Sequence, residues 1–185
     1  MPMTTCNPFR QDTLSACPRC GAMTPDIDGP THPYMVSSPG CWRAFAALQT
    51  DELTRFGYPP VHGLAVDAYA ATHGGDASQR RDRQSVCLHL MAICLLLETD
   101  RGPAARMTLL REMTATKVDW PTLRRPPGTP SLNLQHAAAA VDVEDYSTRV
   151  DQWARAVWDF WTPEHPRVRA LLDTAQQRRQ PDSPP

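Results

Sequence analysis

The stretch QSVCLHLMAICLLLE, residues 84–98, decides the fold class. From Val86 to Leu97 it is apolar on every side except at His89. A run of this length is too long for an ordinary strand and too short to span a bilayer. It predicts a helix over 82–99 that is buried all round, so other helices must surround it. Working outward, a second helix is expected over 61–73, closed by Gly74-Gly75. Before it, Ser38 is a fitting N-cap and Pro39 a fitting first residue for a helix running to about Arg55. Gly57 and Pro59-Pro60 stop that helix. On the other side, Pro103 opens a fourth helix reaching about Thr116, and residues 117–134 read as a proline-rich loop. Tyr146, Val150, Trp153, Val157 and Trp161 form one stripe of a long amphipathic helix over 143–161. Pro163 restarts a last helix through Gln177, with Val168, Leu171 and Leu172 facing inward. No strand pattern competes. The expected architecture is mostly α, a bundle of about six helices with an irregular, zinc-stapled N-terminal loop.

The ends are different in kind. Residues 1–16 read as a flexible lead-in, 17–179 as a single helical domain, and 180–185 as a disordered tail. Within the domain, 17–38 is rich in Cys, Pro, Gly, Asp and Thr without periodicity, so it needs an external staple. At 185 residues the chain can bury one real core. Formal net charge is −1, and Lys117 is the only lysine. The one short basic run, Arg80-Arg81-Asp82-Arg83, is broken by an acid, which argues against a nucleic-acid partner. Residues 1–15 lack the apolar centre of a secretory signal, and no segment suits a membrane. The expected location is the cytoplasm, where six cysteines serve as thiols or metal ligands rather than disulfides.

Those cysteines begin with CPRCGA, residues 17–22. A redox Cys-x-x-Cys follows a buried strand and opens a helix, and nothing strand-like precedes Cys17. Cys-x-x-Cys-Gly suits a zinc knuckle, whose tight turn aims backbone amides at the thiolates. Tetrahedral Zn²⁺ needs two further ligands. Cys41, about the third residue of its helix, sits where free N–H groups and the dipole favour a thiolate; the alternative is a small core residue. The fourth ligand follows from geometry. The first helix runs away from Cys41 for ~22 Å and the connection at 57–60 is short, so the next helix returns antiparallel. It ends at His73, back at the level of Cys41, whereas His62 lies ~16 Å away along the axis. The expected metal site is therefore Cys17, Cys20, Cys41 and His73, with His32 in reserve. The alternative for His73 is a C-cap that complements the helix dipole.

Asp67, Tyr69, His89 and His62 are the candidates for chemistry. His89 interrupts an apolar helix near the level of Asp67 and Tyr69, so it is either a base or ligand, or a satisfied core histidine. Asp67 orients a ligand or bonds an arginine or the backbone. Gln84 is a candidate cap of the third helix. Cys87 and Cys94 stand ~10 Å apart along one helical face, too far for a disulfide, and read as core. No phosphate loop, nucleophile elbow or His-Glu-x-x-His helix occurs. Three functions remain: a zinc-binding protein with a structural site and a binding or accessory role toward a protein or small molecule; a zinc enzyme with an open metal position; and a thiol redox sensor.

CPRCGA (17–22), SSPGCW (37–42), HGLAVDAYAATH (62–73), QSVCLHLMAICLLLE (84–98) and WARAVWDFWTPEH (153–165) together resemble a family of small actinobacterial and proteobacterial proteins of unknown function. The resemblance covers most of residues 17–170. It implies that Cys17, Cys20, Cys41, His62, Asp67, Tyr69, His73, Gln84 and His89 are the positions of interest. Thr72 stands where the family pattern has Gln, so no role of that amide carries over. The resemblance implies no reaction.

Overall fold

The computed structural model describes residues 13–75, 77–99, 102–115 and 118–177. The first twelve residues of the lead-in expected over 1–16, the helix end at Thr116 and the tail over 180–185 lie outside them. Among the described residues the chain is mostly helical, with seven α-helices and one small hairpin. The helices are α1 (Pro39–Thr54), α2 (His62–Thr72), α3 (Arg80–Glu98), α4 (Pro103–Ala115), α5 (Leu134–Ala138), α6 (Val143–Phe160) and α7 (His165–Gln177). The signals at their ends explain the boundaries. Ser38 Oγ accepts from the Cys41 N–H at 3.2 Å with Pro39 in the first turn, and Asp142 accepts from Asp145 N–H at 2.8 Å at the start of α6.

The hairpin departs from the sequence reading. β1 (Leu14–Ala16) pairs antiparallel with β2 (Met23–Pro25), Ser15 opposite Thr24. Leu14–Ala16 had been expected in the lead-in, and no strand had been expected at all. Strands of three residues are too short to show alternation. The turn between them does the ordering: Cys17 N–H donates to Ala22 O at 2.9 Å, and Gly21 adopts φ +71°, which glycine takes without strain. α5 was also missed, because five residues do not establish a helical period.

α3 is buried as expected, but α2 shares the centre, lying against both α3 and α6. Ala65, Ala68, Ala70 and Ala71 are all within 1% of complete burial, and such small side chains let neighbouring helices approach closely. α6 presents Tyr146, Val150, Trp153 and Val157 to this core, each worth roughly 1.5–3 kcal/mol of apolar burial or more. Cys87 and Cys94 are buried in the core, and none of the five described cysteines is in a disulfide. No helix of the described residues is long and apolar enough to cross a membrane.

β2 crosses the first turn of α1 at Gly40. A Cβ there would stand 2.2 Å from Pro25 O and 3.0 Å from Thr24 Oγ1. Gly40→Ala is expected to cost about 1–3 kcal/mol in urea unfolding, the usual penalty of overpacking. Wild-type stability in that variant would mean that the hairpin does not rest on α1.

Candidate metal centre

Three elements converge at one end of the bundle. Cys17 and Cys20 flank the hairpin turn, Cys41 sits in the first turn of α1, and His73 caps the C-terminus of α2. The antiparallel return of α2 brings His73 back to Cys41, as the helix lengths required. His73 Nε2 lies 3.5 Å from Cys17 Sγ and 3.4 Å from Cys41 Sγ, and Cys20 Sγ is 3.7 Å from Cys41 Sγ. All four donor atoms fall within 4.8 Å of one another, every residue is buried, and the group could hold a metal ion.

The surroundings prepare these atoms as ligands. His73 Nδ1 donates to Tyr69 O at 2.8 Å, which leaves the Nε2 lone pair aimed into the cluster. Tyr69 stacks on His73 at 4.0 Å and on Phe45 at 3.8 Å between ring centroids, and its hydroxyl lies 3.6 Å from Cys41 Sγ. The backbone amides of Arg19 and Ala22 favour thiolate at Cys17 and Cys20. Hydrogen bonds from Cys20, then Cys41, hold the Cys17 thiol far below its ordinary range. Cys17 in turn pushes Cys20 up to about 12 and raises Cys41 further. Three sulfurs this close cannot all ionise unaided; a divalent cation at their centre could take the place of the shared protons.

Residues distant in sequence clamp the hairpin onto the bundle. Asn133 Nδ2 donates to Cys20 O at 3.2 Å, Gln135 exchanges two bonds with the Met23 backbone at 2.9 and 3.1 Å, and Arg125 donates to Arg19 O at 2.7 Å. Sequence reading missed all three. They are polar residues more than 100 positions from their partners, and no local pattern marks them.

The remaining candidates are elsewhere. Asp67 is completely buried and takes two guanidinium bonds, from Arg106 Nε and from Arg106 Nη2 at 2.7 Å. It also meets His89 Nδ1 at 2.8 Å. Asp67 therefore bonds an arginine, and His89 lines a separate shallow pocket with Tyr34, Gln84 and Ser85. His62 stands at the opposite end of α2, 2.6 Å from Glu52 Oε2, while Tyr146 donates to Glu52 Oε1 at 2.6 Å. His32, the reserve ligand, packs against the rings of Tyr34 and Trp42 and is not in the four-residue group. Gln84 does not cap α3: it lies in the second turn and accepts from Arg80 at 3.0 Å. Of the chemical candidates only Tyr69 touches the sulfur cluster. His62→Ala is expected to keep the metal content unchanged while costing about 1–3 kcal/mol, because buried Glu52 loses a partner. Elemental analysis beside a melting curve checks both halves, and metal loss in that variant would overturn the placement of α2.

No curated protein and no solved structure matches the chain. One family model does, over residues 15–162, a span that contains the whole metal centre and most of the helical core. The chain belongs to that family, a family of unknown function (DUF5946).

Proposed function

We propose that the chain is a zinc-binding helical protein whose Cys17, Cys20, Cys41 and His73 form a closed structural site, and that its role is binding rather than catalysis at the metal. One observation carries this: four buried donors from three remote parts of the chain meet within 4.8 Å of one another. Zn–S bonds of ~2.3 Å and Zn–N bonds of ~2.0 Å imply edges of roughly 3.8 Å between sulfurs and roughly 3.5 Å between sulfur and nitrogen. The contacts here are 3.7 Å and 3.4–3.5 Å. With four protein ligands no position is left for water, whereas catalytic zinc keeps one open. Of the four candidates for chemistry, Asp67, His89 and His62 are engaged with other partners, and Tyr69, which does touch the cluster, is stacked between Phe45 and His73.

The test is elemental analysis of the purified protein with X-ray absorption. One equivalent of zinc in a shell of three sulfurs and one nitrogen is expected. A light ligand that exchanges with azide would replace this reading by the enzyme. The sensor reading couples zinc release to oxidation of Cys17 and Cys20; reversible zinc release by peroxide with the fold intact would favour it.

A further inference from the structure

One cavity takes part of its lining from Arg19, between the paired cysteines, and from Gly74, next to His73. Its volume is about 430 Å³, within the range of small-molecule sites. One wall is Arg19 together with the segment that follows His73; the facing wall is α3 and the loop over 122–125. Four arginines line it: Arg19, Arg83, Arg124 and Arg125. This is a concentration of positive charge in a chain whose net charge is −1.

None of the four belongs to the ion pairs of the described residues. Two are fixed by backbone carbonyls, which orient a guanidinium without neutralising it. Arg83 donates to Trp120 O, Ala77 O and Ser78 O at 2.9–3.0 Å. Arg125 donates to Pro126 O, Gly128 O and Arg19 O at 2.7–3.0 Å and lies over the Phe160 ring. The side chains of Arg19 and Arg124 make no hydrogen bond to a described residue. Two buried donors on wall residues also lack partners, Arg125 Nε and the indole N–H of Trp161, a residue only 1% exposed. Unpaired buried donors are uncommon in folded proteins. Gathering like charges costs energy unless a counter-charge arrives, and guanidinium forks bind phosphate and carboxylate with two bonds at once. Asp82, 8% exposed and in no ion pair with another described residue, adds one acceptor to the same wall.

We infer that this arginine-lined cavity binds a small organic dianion, a phosphate monoester or dicarboxylate that also carries a hydroxyl or amino group for Asp82. This deepens the binding role proposed above and rests on it in one respect: the metal holds the loop that carries Arg19. The half-open but bounded shape suits a small molecule better than a nucleic-acid strand, which needs an open track.

Calorimetric titration of the metal-replete full chain tests the inference. The probes are adenosine 5′-monophosphate, glycerol 3-phosphate, malate and a single-stranded oligonucleotide. At least one small dianion is expected to bind at one site, more weakly as salt rises. Arg19→Ala combined with Arg124→Ala should weaken it at least about tenfold while metal content and melting stay at wild-type values, because neither side chain has a hydrogen bond to lose. The inference fails if no small dianion binds more tightly than about 1 mM, if the double variant binds like wild type, or if only the oligonucleotide binds. Failure in protein carrying one equivalent of zinc leaves the structural metal site intact. Binding by metal-free folded protein supports the cavity and sinks the structural metal.

Discussion

Cys20→Ser is expected to empty the metal site and lower the melting temperature together. The serine hydroxyl is a poor zinc ligand, so three donors remain where tetrahedral zinc needs four. Structural zinc contributes folding free energy outright, because the assembled site exists only in the folded chain. The fall should therefore reach the exceptional end for point substitutions, about 4 kcal/mol or more. For a chain of this size that corresponds to a drop of roughly 8–16 °C. The clamps from Asn133 and Gln135 are too few to hold the hairpin alone, so proteolysis should begin between residues 13 and 38. Cys87→Ala is the control: Cys87 is buried in the core and remote from the cluster, so that variant should keep its metal. An unchanged melting curve in metal-free Cys20→Ser would end the idea of a staple.

Asp67→Ala should be about as costly for a different reason, and without loss of metal. Asp67 is completely buried and the Arg106 side chain is 8% exposed, so removing the carboxylate strands a guanidinium in the core. Breaking a buried pair in this way costs about 3–5 kcal/mol. The pair itself need not be strongly stabilising, since its desolvation offsets much of the attraction. The informative variant is thus the double, Asp67→Ala with Arg106→Met, which should recover at least half of the loss in urea unfolding. Simple addition of the two single losses would show that the residues do not act as a pair. The metal content separates the two experiments: it disappears in the first and persists in the second.

His89 is drawn into the same network by its 2.8 Å contact with Asp67. That contact answers the puzzle of an imidazole within an apolar helix. It is a partnered histidine at the rim of the core, and its carboxylate is already occupied by Arg106. Glu52 is the opposite case. It lies on α1 among polar residues and gives no sign of burial in the sequence, yet it is 1% exposed and held by His62 and Tyr146.

The amino-acid sequence by itself determined the six longer helices, the Ser38 cap of α1, the stripe of α6, the burial of α3, and the meeting of Cys41 with His73. These follow from stereochemistry within a few residues, and from the rise per residue of two helices joined by a short loop. The tertiary structure alone decided the hairpin, the clamps from Asn133, Gln135 and Arg125, the partner of Asp67, the burial of Glu52 and the arginine cavity. The physical reason is that a polar side chain carries no local record of its partner. Whether it faces water or a countercharge depends on which remote segment the packed core brings opposite it.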